Sequence, residues 1–104
     1  MASQEQAHAE GLSTTASGYK SHAEGESTTA SGNASHAEGN SSEATASYSH
    51  AQGLRTHAKG TASSAAGIDA YADGKASFSA GNRTAANHEN SAVFGLGTSS
   101  SAVN

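Results

Sequence analysis

Ser21-His-Ala-Glu-Gly-Glu26 decides the fold, because nearly the same residues return at Ser35-His-Ala-Glu-Gly-Asn40 and again at Ser49-His-Ala-Gln-Gly-Leu54. An earlier copy, Ala7-His-Ala-Glu-Gly-Leu12, keeps the same step of fourteen residues. Thr15-Ala-Ser-Gly18 and Thr29-Ala-Ser-Gly32 place a shorter echo at the half-step, so the period is seven, doubled to fourteen. A fixed short period is the signature of a repeat architecture.

Numbering the heptad from His8, the fourth slot is Gly at 11, 18, 25, 32, 39, 53, 60, 67, 74, 81 and 95, with Ala46, His88 and Ala102 as exceptions. The second slot is Ala from Ala9 to Ala72 and at Ala86, with Ser79, Val93 and Ser100 departing. The seventh is Ser or Thr from Thr14 to Thr98, except Ala70. The repeat runs without insertion over residues 8–104 as one β-roll domain, and residues 1–7 are expected to be a disordered, frayed start.

A coiled coil needs large apolar residues at two heptad slots. Here those slots hold Ala, Gly and Ser or Thr, and each interior Gly would cost a helix about 1 kcal/mol relative to Ala. Strands alternate their faces, so slots 2 and 4 are expected to point into a crowded interior and slots 1 and 3 outward. The fold class is all-β: a narrow solenoid of about seven 14-residue coils, with glycine allowing close backbone approach and positive φ where the turn begins.

Composition restricts the function. Leu, Ile, Val and Phe together number eight in 104 residues, against 23 Ala, 19 Ser and 12 Gly, which alone would suggest disorder. The strict register argues against it. A net charge of −4 with scattered Lys and Arg leaves no basic stripe for nucleic acid. No apolar run reaches membrane-helix length and none resembles a signal peptide, so a leader or anchor of an exported protein would lie outside this sequence. Cysteine is absent, which removes disulfides and thiolate metal sites. His88-Glu89 lacks the second histidine of a zincin, and no nucleophile elbow, phosphate loop or calcium-binding nonapeptide occurs. The chain is read as a non-enzyme without a cofactor.

The heptad resembles the head repeat of the YadA-like trimeric autotransporter adhesins, the haemagglutinin-type repeat. Asn90-Ser-Ala-Val-Phe-Gly95 is similar to that family's Asn-Ser-Val-Ala-Ile-Gly motif, with the two central residues exchanged. The resemblance covers residues 8–104 and implies a left-handed parallel β-roll, three parallel chains packed side by side, and exposure on a bacterial surface fibre. Similar Ser-His-Ala-Glu-Gly repeats occur in bacteriophage tail appendages, which gives an alternative: a tail-fibre element on a virion. Either way the expected partners are two further copies of the chain and a host-surface or extracellular-matrix ligand, with no nucleic acid and no direct membrane contact.

Slots 1 and 3 of alternate heptads form two opposite walls. One carries His8, Glu10, His22, Glu24, His36, Glu38, His50, Gln52, Ser64, Ala66, Phe78, Ala80, Ala92 and Phe94. The other carries Thr15, Ser17, Thr29, Ser31, Glu43, Thr45, His57, Lys59, Tyr71, Asp73, Ala85, Asn87, Ser99 and Ser101. The first turns apolar toward the C-terminus while the second stays polar, so the first is expected at the subunit interface. A roll this thin buries too little surface alone. Its histidines and glutamates are read as a polar ladder pairing across chains, in preference to rings of imidazoles holding a metal.

Overall fold

Alternate heptads build unlike strands. The computed structural model describes Ala2 and residues 4–96; Ser99, Ser101 and Ala102, and with them the C-terminal end of the expected domain, lie outside the described residues. Strands of five and two residues alternate: β1 (His8–Leu12), β2 (Thr15–Ala16), β3 (His22–Glu26), β4 (Thr29–Ala30), β5 (His36–Asn40), β6 (Glu43–Ala44), β7 (His50–Leu54), β8 (His57–Ala58), β9 (Ser64–Ile68), β10 (Tyr71–Ala72), β11 (Phe78–Asn82), β12 (Ala85–Ala86) and β13 (Ala92–Leu96). The long strands form one parallel sheet in the order β1-β3-β5-β7-β9-β11-β13, and the short ones a second, from β2 to β12. The result is a parallel β-solenoid of about six coils, closed by the last long strand.

Pairing is in register at the fourteen-residue step: His22 faces His36, Glu24 faces Glu38 and Gly25 faces Gly39. Each repeat position therefore becomes a column along the rod, whose extents are 40 × 21 × 11 Å.

The interior is small. Ala16, Ala23, Ala30, Ala37, Ala44, Ala51, Ala58 and Ala72 are wholly buried, as the slot-2 reading required. A buried methyl is worth about 0.8 kcal/mol, whereas ordering one residue's backbone costs about 1–2 kcal/mol. Alanines alone cannot hold the rod, and backbone hydrogen bonding continues through its corners. Ala34 N–H donates to Tyr19 O (2.7 Å), Tyr48 N–H to Asn33 O (2.8 Å) and Asn90 N–H to Lys75 O (2.9 Å), each reaching the neighbouring coil. Slot 6 supplies these donors, and every slot-6 residue from Gln6 to Asn90 sits at a left-handed φ of 53–62°. None is glycine, although L-residues lose roughly 1–2 kcal/mol there. From Lys20 to Asn90 the N–H of each donates to the preceding coil, a bond that supports the conformation. The pattern begins before His8, since Glu5 O accepts from Lys20 N–H at 3.1 Å.

The two corners of a coil differ. At the fourth residue of each long strand, slot 4 has φ between 110° and 133°, and at Gly11, Gly25 and Gly39 it is exposed. This corrects the expected inward slot 4: a positive φ breaks the two-residue alternation and turns the position out. After each short strand, Gly18, Gly32, Gly60 and Gly74 are buried and lack the positive φ. Both kinds of glycine press on the next coil. A Cβ on Gly39 would lie 2.1 Å from Gly53 O, and one on Gly32 would lie 2.0 Å from Ala46 O.

Slot 7 divides the same way. At the short-strand corner it is serine, whose N–H donates to the slot-4 carbonyl; at Ser35 and Ser49 the hydroxyl does so as well, Ser35 to Gly32 O at 3.2 and 2.6 Å and Ser49 to Ala46 O at 3.3 and 2.6 Å, whereas the Ser63 and Ser77 hydroxyls make no hydrogen bond. At the long-strand corner the column is mostly threonine, at Thr14, Thr28, Thr56 and Thr84, with Ser42 and Ala70 between them. Here Thr28 Oγ1 donates back to Glu24 O at 3.2 Å and Ser42 Oγ to Glu38 O at 2.8 Å, whereas the Thr84 hydroxyl pairs with Ser79 Oγ at 2.6 Å and the Thr56 hydroxyl makes no hydrogen bond.

Candidate functional site: the outer wall of the long sheet

The fold places the whole first wall on one face of the long sheet. His8, Glu10, His22, Glu24, His36, Glu38, His50 and Gln52 occupy slots 1 and 3 of β1, β3, β5 and β7. Ala66, Phe78, Ala80, Ala92 and Phe94 continue those columns through β9, β11 and β13. In-register pairing stacks the imidazoles, with centroids 4.7 Å apart for His8 and His22, 4.6 Å for His22 and His36, and 4.8 Å for His36 and His50.

Carboxylates fill the gaps between the rings. Glu24 Oε1 lies 3.4 Å from His22 Nε2 and 3.5 Å from His36 Nε2. Glu38 Oε1 repeats this at 3.6 Å from His36 Nε2 and 3.4 Å from His50 Nε2. The expected His–Glu association is thus already present inside one chain, where pairing across chains had been anticipated. Two Nε2 atoms, of His22 and His36, are shielded from solvent yet make no hydrogen bond.

Toward the C-terminus the wall changes character. Phe78 and Phe94 meet at 5.2 Å between centroids, tilted by 48°. Phe78 remains 38% exposed and Phe94 67%, a large apolar surface for so small a rod. Between the two regimes the small Ser64, Ala65 and Ala66 leave a shallow depression bounded by His50, Gln52 and Phe78.

The second wall holds more than solvated side chains. His57 stacks on Tyr71 at 4.7 Å and 9°, and its Nδ1 lies 3.0 Å from Glu43 Oε1. Side chains at the turns also pair fourteen residues apart. Arg55 Nε and a terminal guanidinium nitrogen donate to the two Asp69 oxygens at 2.7 and 3.0 Å. Those bonds hold the Asp69 carboxyl below its usual range. Asn40 Nδ2 donates to Glu26 Oε1 at 3.0 Å, and Tyr19 OH donates to Glu5 Oε1 at 2.6 Å, which raises the tyrosine's pKa. The fourteen-residue spacing applied to side chains outside the two walls would have found each pair.

No protein-family model, no curated protein and no solved structure matches the chain, so the site is read from its own geometry.

Proposed function

We propose that the chain is a structural and adhesive module of an extracellular bacterial fibre, in which three parallel copies pack as left-handed β-rolls around the wall that carries Phe94. The observation that carries this reading is the apolar end of that wall. Phe78 and Phe94 stand exposed on a rod whose own interior is little more than alanine, serine and threonine. Apolar surface of this kind favours association, and a thin solenoid gains from it what its core lacks. The count of three and the handedness rest on the resemblance of the Ser-His-Ala-Glu-Gly heptad and Asn90-Ser-Ala-Val-Phe-Gly95 to the adhesin head repeat. Nothing in the wall resembles a nucleophile–base pair, and the module works by presenting a stiff, repetitive surface.

Light scattering at micromolar concentration tests the assembly: a trimer is expected, and a folded monomer would overturn the reading. Phe94→Asp should dissociate or unfold the rod, since a carboxylate from each chain would be buried unpaired. Asp in place of Ala85, on the opposite wall, should leave the assembly intact. Immobilised matrix proteins and glycans test the adhesive role separately. Retention of the trimer on none of them would leave a purely structural rod.

A further inference from the structure

The histidine and glutamate ladder repeats a set of donors at metal-ligand spacing. In each of three trios, His8/Glu10/His22, His22/Glu24/His36 and His36/Glu38/His50, the nitrogen and oxygen donors lie within 4.8 Å of one another. A tetrahedral ion with bonds of about 2.0–2.2 Å holds its ligands roughly 3.3–3.5 Å apart. The N–O separations are already 3.3 Å for His8 and Glu10 and 3.4 and 3.5 Å around Glu24. Only the two nitrogens of a trio need to draw closer.

Three further features favour an ion over a plain polar ladder. The Nε2 atoms of His22 and His36 have no hydrogen-bond partner although they are shielded from water, and such an atom is costly unless something satisfies it. The rings are held in a parallel stack by strand pairing, so little side-chain freedom remains to be lost on binding. In the single chain the side chains of His22, Glu24 and His36 are 35–38% exposed, so an ion can enter before chains associate along this wall.

We propose that the outer wall of β1, β3, β5 and β7 binds first-row transition-metal ions such as Zn²⁺, each held by His–Glu–His from two consecutive coils. Imidazole and carboxylate donors suit Zn²⁺, Ni²⁺ and Cu²⁺, and the absence of a full oxygen shell disfavours Ca²⁺ and Mg²⁺. Each Nε2 has one lone pair, so an ion consumes two of the four histidines. Trios that share His22 or His36 cannot fill together. The capacity is therefore two ions per chain, on His8/Glu10/His22 and His36/Glu38/His50. A bound ion clamps neighbouring coils and stiffens the N-terminal half of the rod. The donors all come from one chain, so this inference does not rest on the trimeric reading.

Equilibrium dialysis of the metal-stripped full chain against Zn²⁺ counts the ions, and Co²⁺ substitution reports the ligand geometry through its visible bands. The expected stoichiometry is two per chain, falling to one in His50→Asn and to none in the double variant His22→Asn/His50→Asn, which leaves no complete trio. Circular dichroism of the metal-free variants verifies that each is folded. The triple variant Glu10→Gln/Glu24→Gln/Glu38→Gln keeps every ring but leaves no trio its carboxylate, and should weaken Zn²⁺ binding by about tenfold or more. Failure of the wild-type chain to bind Zn²⁺, or a double variant that binds as much as wild type, would overturn the proposal.

Discussion

The two corners of each coil occupy identical heptad slots yet obey different rules. At the long-strand corner slot 4 is glycine in every coil, because it combines a φ of 110–133° with backbone of the next coil about 2 Å from any added Cβ. At the short-strand corner the crowding is similar but the positive φ is absent. Ala46 and His88, the departures from glycine among the described residues, both fall there. Ala46 and His88 show that the short-strand corner can be built around a Cβ, whereas an L-residue at that φ stays strained wherever its neighbours move. Conformation, more than space, fixes the glycine.

The sharpest way to break this comparison is a matched pair of substitutions. Gly39→Ala should cost about 3 kcal/mol or more per chain, adding backbone strain to overpacking. Gly32→Ala, at the other corner, should cost less, about 1–3 kcal/mol, because the overpacking against Ala46 remains but the backbone strain does not. Denaturant midpoints at one protein concentration would check it, and equal losses would mean that φ does not separate the corners.

Slot 7 sharpens the same contrast with smaller effects. Ser35→Thr forces a methyl into the tight short-strand corner and should destabilise by about 1–2 kcal/mol. Ser42→Thr sits between Thr28 and Thr56 in the roomier column and should be neutral or slightly stabilising. Thermal unfolding of the two variants side by side gives the sign of each.

Slot 6 is shared by both corners, so it should respond alike at either. Ala62 and Ser27 hold φ of 61° and 56°. Ala62→Asn and Ser27→Asn should each raise stability by about 0.5 kcal/mol, since Asn tolerates the left-handed region. A gain at one corner only would show that the corners differ at slot 6 as well.

The Arg55–Asp69 pair spans two long-strand corners and should give the smallest effect. Arg55 lowers the Asp69 carboxyl in the folded chain. The pair's contribution is therefore present above the unfolded Asp value of about 3.9 and is lost as pH falls through the lower folded value. Asp69→Asn should lower the unfolding midpoint slightly at neutral pH and at low salt, and the difference from wild type should vanish in acid. A gap that persists in acid would assign the loss to packing instead of charge.

Much of the architecture is legible in the heptad. Ala in slot 2 has to face inward, because a coil of fourteen residues leaves little interior room, and glycine in slot 4 announces close backbone approach. The columns of the outer wall follow at once from a period of fourteen, so His8, His22, His36 and His50 align without any knowledge of the coordinates. The same arithmetic reaches Glu43, His57 and Tyr71 on the second wall and Arg55 and Asp69 at the corner.

Other features were decided only when the coil closed. A parallel solenoid of unequal strands gives its two corners different backbone conformations, a difference that appears in sequence only as the faint sorting of Thr from Ser at slot 7. The left-handed turn at slot 6 has no residue signature, since Gln6, Lys20, Ala34, Tyr48, Arg55 and Asp69 all adopt it. The tertiary structure favours it, because from Lys20 onward the N–H reaches the carbonyl of the neighbouring coil. The sequence alone aligns histidine with histidine, but strand pairing fixes the ring spacing near 4.7 Å and drops each carboxylate between two rings. That spacing, set by the backbone ladder, turns a list of repeated residues into a set of converging donors.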